Sequence, residues 1–115
     1  MHGELTFFEI GVPDSGRAQA FYAQLFGWQF PPTGQGDQVW VKTPTIKAGL
    51  HDQDTESRTA MYFSVDDIDT AASTVRQLGG TAEVPRPEEP GFGRFTPCTD
   101  DQGVQFGLHQ APHRP

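Results

Sequence analysis

The stretch LTFFEIGVPDSGRAQAFYAQLFGW, Leu5 to Trp28, reads as a strand, a tight turn and a helix. Its first half alternates as a sheet strand does. Its second half sets Ala18, Phe21, Tyr22, Leu25 and Phe26 at helical spacing. Asp14 stands where an N-cap belongs, because its carboxylate accepts from the unpaired N–H groups of the first helical turn. Gly27 closes the helix, since glycine enters the left-handed conformation at little cost. The spacing predicts a helix over about 14–27 that buries this apolar stripe against a sheet.

The chain states the pattern twice. AMYFSVDDIDTAASTVRQLGGT, beginning at Ala60, superposes on the first copy after a shift of about 53 positions. Val12 falls on Val65, Asp14 on Asp67, Ala18 on Ala71, Tyr22 on Val75, Leu25 on Leu78 and Gly27 on Gly80. AGLH, ending at His51, then recurs as FGLH, ending at His109, at an offset of about 58. Roughly five residues are therefore inserted in the second copy, and VPRPEEPGFGR, Val84 to Arg94, is the place for them. A strand–helix match and a later GLH match in the same order point to a duplication.

Bulk properties bound the rest. A chain of 115 residues is one domain with room for a core. Its formal net charge of −7 repels phosphate backbones and anionic lipid, which argues against nucleic-acid and membrane partners. Cys98 is the only cysteine, so no intrachain disulfide forms, which suits a reducing cytoplasm. MHGELTFFEI lacks the basic and apolar regions of a signal peptide, and no apolar run has the length of a membrane span. The apolar fraction is low at 35%, and nine phenylalanines, each burying a large area, offset it.

Strands are expected at about 39–43, 46–51, 60–65, 81–84, 94–99 and 104–109, with a second helix over about 67–79. The polar run DQDTESRT reads as a linker. The organisation is a single domain over 1–115. Module one spans about 4–52, the linker about 52–59, module two about 60–110, and residues 111–115 form a tail. Each half reads β-α-β-β-β. The fold class is α+β: two tandem modules forming a curved, mostly antiparallel mixed sheet around a cavity, with the helices outside.

VPDSGRAQAFYAQLFGW, the second-half YFSVDDID with LGG, and the closing DDQGVQFGLHQ resemble the vicinal oxygen chelate superfamily of glyoxalases, bleomycin-resistance proteins and ring-cleaving dioxygenases. FFEIGVPD with FGW is most similar to small bacterial glyoxalase-like proteins. The resemblance implies a divalent metal held by four side chains, usually His and Glu, two from each module. Carried over position by position, these are Phe7 and Gly49 in the first module and Ala60 and Gly107 in the second. None ligates a metal through its side chain. The expectation is therefore no metal at the usual site, and none of the metal-dependent activities. The paired modules also imply a homodimer.

The same register assigns the strand faces. Phe7, Glu9, Gly11, Lys47, Gly49, His51, Ala60, Tyr62, Ser64, Gln105, Gly107 and His109 are expected to face the cavity. Phe8, Ile10, Val12, Leu50, Met61, Phe63, Val65, Phe106 and Leu108 face the helices, and this set is almost wholly apolar. The candidate ligand-binding residues are Phe7, Glu9, Lys47, His51, Tyr62, Gln105 and His109. Phe92 joins them as a wedge and Arg94 as an anion clamp, both from an insert that closes over the pocket. Trp40 and Tyr62 are candidate aromatic walls.

Glu9 reads two ways. A carboxylate facing a cavity serves as a general base or orients a ligand amine, or it pairs with Lys47, Arg94 or a backbone amide and does no chemistry. Glu9, His51 and His109 form the alternative of a displaced divalent-metal site, or the two histidines are simply exposed strand ends. Cys98 reads as buried and inert, and Asp66, Asp67 and Asp69 as helix-start charges. Two functions follow from this. The favoured one is a metal-free protein that sequesters or senses a small, cationic or aromatic compound. The alternative is a metal-independent isomerase or lyase using Glu9 for proton transfer.

Overall fold

Aromatic and β-branched residues hold β1 (Leu5–Gly11) extended. Asp14 then opens α1 (Ser15–Phe26) by accepting from the Arg17 N–H at 3.1 Å. The computed structural model describes residues 3–34, 38–53 and 58–112. The remaining elements are β2 (Val39–Lys42), β3 (Lys47–His51), β4 (Arg58–Ser64), α2 (Ile68–Gln77), β5 (Thr81–Ala82), β6 (Arg94–Thr99) and β7 (Gln105–Gln110). The α+β class and both helix positions match the expectation. Of the expected linker, 54–57 lie outside the described residues, as do 113–115 of the tail.

The chain gathers into two compact units, one of residues 7–60 and one of residues from 61 onward with those before 7. In the first, β1 pairs parallel with β3, and β3 pairs antiparallel with β2. In the second, β4 pairs parallel with β7, which pairs antiparallel with β6, which pairs antiparallel with β5. Gly3 and Glu4 exchange backbone bonds with Ser64 at 2.8 and 2.7 Å.

The repeat extends to single hydrogen bonds. Glu9 stands opposite Gly49 as Tyr62 stands opposite Gly107. The Val12 N–H donates to the His51 carbonyl, and the Val65 N–H to the His109 carbonyl, both at 2.9 Å. The first helical N–H of each module is satisfied from just beyond the GLH motif: Ser15 by Asp52 at 2.7 Å, Ile68 by Gln110 at 2.8 Å. Asp67 repeats the Asp14 cap on the Thr70 N–H at 3.2 Å. All of these pairs keep the two offsets read from the sequence.

The strand after α1 is broken for a simple reason. Residues 29–33 run beside β2, with the Lys42 and Trp40 N–H groups donating to the Gln29 and Pro31 carbonyls at 2.8 Å. Pro31 and Pro32 have no N–H to return, so only isolated bridges form. The matching strand in the second unit, β5, is also short, because the proline-rich insert follows it.

Each unit packs its helix on one sheet face. Ile10, Val41, Ala48 and Leu50 pack with Ala18 of α1, and Leu108 and Cys98 pack with Ile68 and Ala72 of α2. Ile68 is fully buried, so Ile68→Ala costs about 2–5 kcal/mol through lost contacts and the cavity left behind. The α1 stripe departs from expectation. Phe21, Leu25 and Phe26 stay 61%, 56% and 57% exposed. Trp28 and Phe30 take the place beneath the helix, and Tyr22 and Phe26 stack on Trp28, at 5.4 and 4.8 Å between ring centroids. Met61 is likewise half exposed rather than packed against a helix. The second helix ends one residue early: Gly79, at φ +94°, is the left-handed residue. Gly80 is needed for space instead, since a side chain there would overlap the Thr99 carbonyl.

Candidate functional site

In the first unit the register places Phe7, Glu9, Lys47, Gly49 and His51 on the face opposite the core, with Trp40 opposite Gly49. Val41, the neighbour of Trp40, is fully buried in the core, which fixes the parity of that strand. Gly49 carries no side chain, so Glu9 leans diagonally along β3 and meets His51 through Oε2 and Nε2. The carboxylate is mostly buried and the imidazole mostly exposed. A protonated ring makes this an ion pair, and a neutral one leaves a hydrogen bond. Lys47 lays its ammonium 4.0 Å from the Trp40 ring centroid, and Phe7 meets Trp40 edge-on at 6.3 Å.

In the second unit the corresponding face carries Tyr62, Gly107 and Pro97 in one row, and Ser64, His109 and Phe95 in the next. Tyr62 and Phe92 both meet Phe95 edge-on, at 5.9 and 5.6 Å. His109 is held on both sides. Its Nε2 lies 2.6 Å from the Phe92 carbonyl, which only accepts, so that nitrogen donates. Its Nδ1 lies 3.1 Å from the Thr6 hydroxyl, which donates to it in the neutral ring. The Phe92 ring stacks on the imidazole at 4.6 Å. Gln105 is exposed at the start of β7.

Arg94 does not act as an anion clamp on this face. It shares the parity of Thr96 and Cys98, which face α2, and its guanidinium forks onto Asp69 at 2.9 and 3.3 Å. Those bonds raise its pKa above the ordinary arginine value. Its Nε donates to the Arg86 carbonyl at 3.0 Å, so the residue ties the insert to the helix. Phe92 is buried and anchored by a turn in which its N–H donates to the Glu89 carbonyl at 3.0 Å. Burial pushes the Cys98 thiol up to about 11, which makes it inert as expected. Asp67 is lowered, chiefly by the Thr70 N–H, as a helix cap should be.

The two glycines at the expected ligand positions are covered by the chain's own rings. A methyl group built on Gly107 would come within 3.0 Å of the Tyr62 ring. One built on Gly49 would meet the Phe7 ring at 3.3 Å. Phe7 and Tyr62 are each only 4% exposed. An aromatic ring thus fills the space beside each glycine. With Phe7, Gly49, Ala60 and Gly107 at its positions, a four-ligand metal centre does not fit this chain. Glu9 and His51 meet each other, and His109 directs its ring nitrogens to Thr6 and Phe92. Among the described residues no three His, Cys, Asp or Glu side chains converge to hold a metal.

Comparison with known proteins agrees with this architecture. A family model for the bleomycin resistance protein-like N-terminal region matches residues 4–44. A glyoxylase-like domain-containing protein of Didymella fabae is 28% identical over 91 residues, 70% of this chain and 71% of that protein. Methylmalonyl-CoA epimerase from Mycobacterium tuberculosis superposes with a TM-score of 0.72 at 17% identity, over 96% of this chain and 89% of the other. The chain has the fold of the vicinal oxygen chelate superfamily, and the partial family match and the 28% identical relative point the same way. Homoprotocatechuate 2,3-dioxygenase from Brevibacterium fuscum, with a TM-score of 0.75 at 18% identity, matches 96% of this chain but only 37% of its own length. At such identities these solved structures share the superfamily's fold, and the fold hosts many chemistries.

Phe95 was not singled out from the sequence, yet it packs beside both Tyr62 and Phe92. Its signal was available. Counting back across the DDQG turn from His109 pairs it with that histidine and puts Arg94 on the opposite face.

Proposed function

We propose that this superfamily member binds a small aromatic compound without the usual metal, and sequesters or senses it. The reading rests on the positions where the resemblance implies metal donors: Phe7, Gly49, Ala60 and Gly107 offer none, and a ring covers each of the two glycines. The binding surface in this reading is the face formed by Phe7, Glu9, Trp40, Lys47 and His51, which offers flat rings and a few convergent polar groups. Glu9 already has His51 as a partner, so the geometry favours the aromatic over the cationic form of the ligand expectation.

The Glu9–His51 contact supports a second reading, proton transfer by an isomerase or lyase. A mostly buried carboxylate oriented by an imidazole is the arrangement that general base catalysis uses. A thermal-shift screen of small aromatic compounds, with mass spectrometry of every hit, separates the two. A ligand recovered unchanged supports binding. A converted ligand whose turnover is lost in Glu9→Gln supports the enzyme. Hits that bind equally well to Glu9→Gln, His51→Ala and Trp40→Ala variants would remove the face from both readings.

A further inference from the structure

Only Ala18 of α1 is buried, and one flank of the helix is open along its whole length. Arg17, Phe21 and Leu25 follow each other at four-residue spacing on that flank, with Ala20 and Gln24 beside them, and all five are exposed. Phe21 is 61% and Leu25 56% exposed, whereas Ile68 of α2 is fully buried. The Phe21 ring is held in place, since it meets Tyr22 edge-on at 5.2 Å. A fixed apolar stripe left in water marks an interaction surface.

Charge says what covers it. The chain has 15 acidic residues, yet none stands between Ser15 and Gly36. A second copy, carrying the same net charge of −7, meets least repulsion there. Arg17 supplies the direction. It stands in the first turn of α1, where the helix end is already positive and no acidic residue offsets it. The last turn, where unpaired carbonyls make the end negative, has no basic residue. Among the described residues no carboxylate pairs with Arg17. A second α1 running antiparallel to the first answers both mismatches, because each Arg17 then comes beside the C-terminal end of the other helix.

We propose that two copies of this chain pair through α1, antiparallel about a two-fold axis near Ala23, with Phe21 of each copy against Leu25 of the other. Arg17 precedes Ala23 by six residues, so it falls opposite a point six residues beyond Ala23, just past the Gly27 cap of the other copy. The inference gives a surface and an orientation to the homodimer expected from the sequence. It does not depend on the reading of the Glu9 face.

Sedimentation of the full chain over a concentration series tests it. Wild type should be a dimer at micromolar concentration. Phe21→Glu and Leu25→Glu each place an unpaired carboxylate in the contact, and each should raise the dissociation constant about a hundredfold or more. Both positions are exposed in the single chain, so the monomers should keep the wild-type circular dichroism spectrum. Arg17→Glu should raise the constant about three- to thirtyfold, because two helix ends lose a favourable charge, and Arg17→Lys should not. Val84→Glu, the same kind of change at an exposed apolar position off this helix, should leave the dimer intact. Nitroxides attached at Gln24→Cys should lie closer together in the dimer than nitroxides at Arg17→Cys. A monomeric wild type, a dimer that survives Phe21→Glu and Leu25→Glu, an equal loss in Val84→Glu, or label distances in the reverse order overturns the proposal.

Discussion

Gly107→Ala is the substitution to which the structure gives the clearest value. The added methyl falls inside 3.0 Å of the Tyr62 ring, and Tyr62, at the foot of an edge-on contact with Phe95, has little freedom to retreat. Overpacking of a fixed site costs about 1–3 kcal/mol. The lower entropy of an unfolded chain with alanine in place of glycine returns about 0.4–1 kcal/mol. The net loss is about 1–2 kcal/mol, which lowers Tm by roughly 4–8 °C for a chain of this size. Gly49→Ala is the internal control. Its methyl meets the far edge of the Phe7 ring at 3.3 Å and Glu9 Cγ at 3.6 Å, so small shifts absorb it. That change should stay within about 0.5 kcal/mol of wild type, the scale of substitutions away from special features.

Urea titration monitored by circular dichroism measures both variants, with an unchanged slope required for the comparison. A cycle with Tyr62→Ala adds a second reading. Once the ring is gone, Gly107→Ala should be neutral or mildly stabilising, so the two changes couple by about 1 kcal/mol or more. Equal stability of Gly107→Ala and Gly49→Ala, or additivity with Tyr62→Ala, would refute the claim that Tyr62 fills the Gly107 position.

Glu9→Gln keeps the shape of its face and removes the charge, so it should leave Tm nearly unchanged while weakening a ligand or ending proton transfer. A loss of stability with ligand affinity intact would make Glu9 structural. Asp67 has a folded pKa below its ordinary 3.8, so its contribution to stability is present above that value and is lost as pH falls through the lower folded one. The stability gap between wild type and Asp67→Asn should therefore be constant near neutrality and close in acid, as read by denaturant titrations across pH. Cys98, with its thiol pushed up to about 11, should resist iodoacetamide at pH 8 in the folded protein and react once unfolded. Sedimentation at micromolar concentration should show a homodimer, and a single species of 12.7 kDa would contradict it.

The fold was legible because the chain carries its own control. Two copies in one sequence fixed both helix starts and both GLH strands; the pairing of Glu9 with Gly49 and of Tyr62 with Gly107 came from the structure and keeps the same offsets. Side-chain destinations were less legible where a residue's neighbour along the chain differs from its neighbour in space. Phe21, Leu25 and Phe26 have core spacing, but Trp28 and Phe30, just past the helix, fill the room beneath it. Arg94 was misplaced because the insert hid the parity of its strand, and only pairing across the β6–β7 turn reveals it. The fate of the glycine positions was invisible to sequence. Glycine at a ligand position reads as vacant space, whereas which ring swings over it depends on cross-strand packing. Glu9 and His51 were both named, but their contact required the missing side chain of Gly49 between them.

The central proposal is that this chain, with Phe7, Gly49, Ala60 and Gly107 where the superfamily resemblance implies metal donors, holds no divalent ion at those positions. The most direct measurement is elemental analysis of tagless protein purified without chelator, followed by calorimetric titration with Zn²⁺, Mn²⁺ and Fe²⁺. The account predicts well under one ion per chain, and any weak binding should be lost in His51→Ala rather than altered by changes at Phe7 or Gly107. One tightly bound ion per chain, displaced by substitution at Phe7 or Gly107 and retained in His51→Ala, would contradict it.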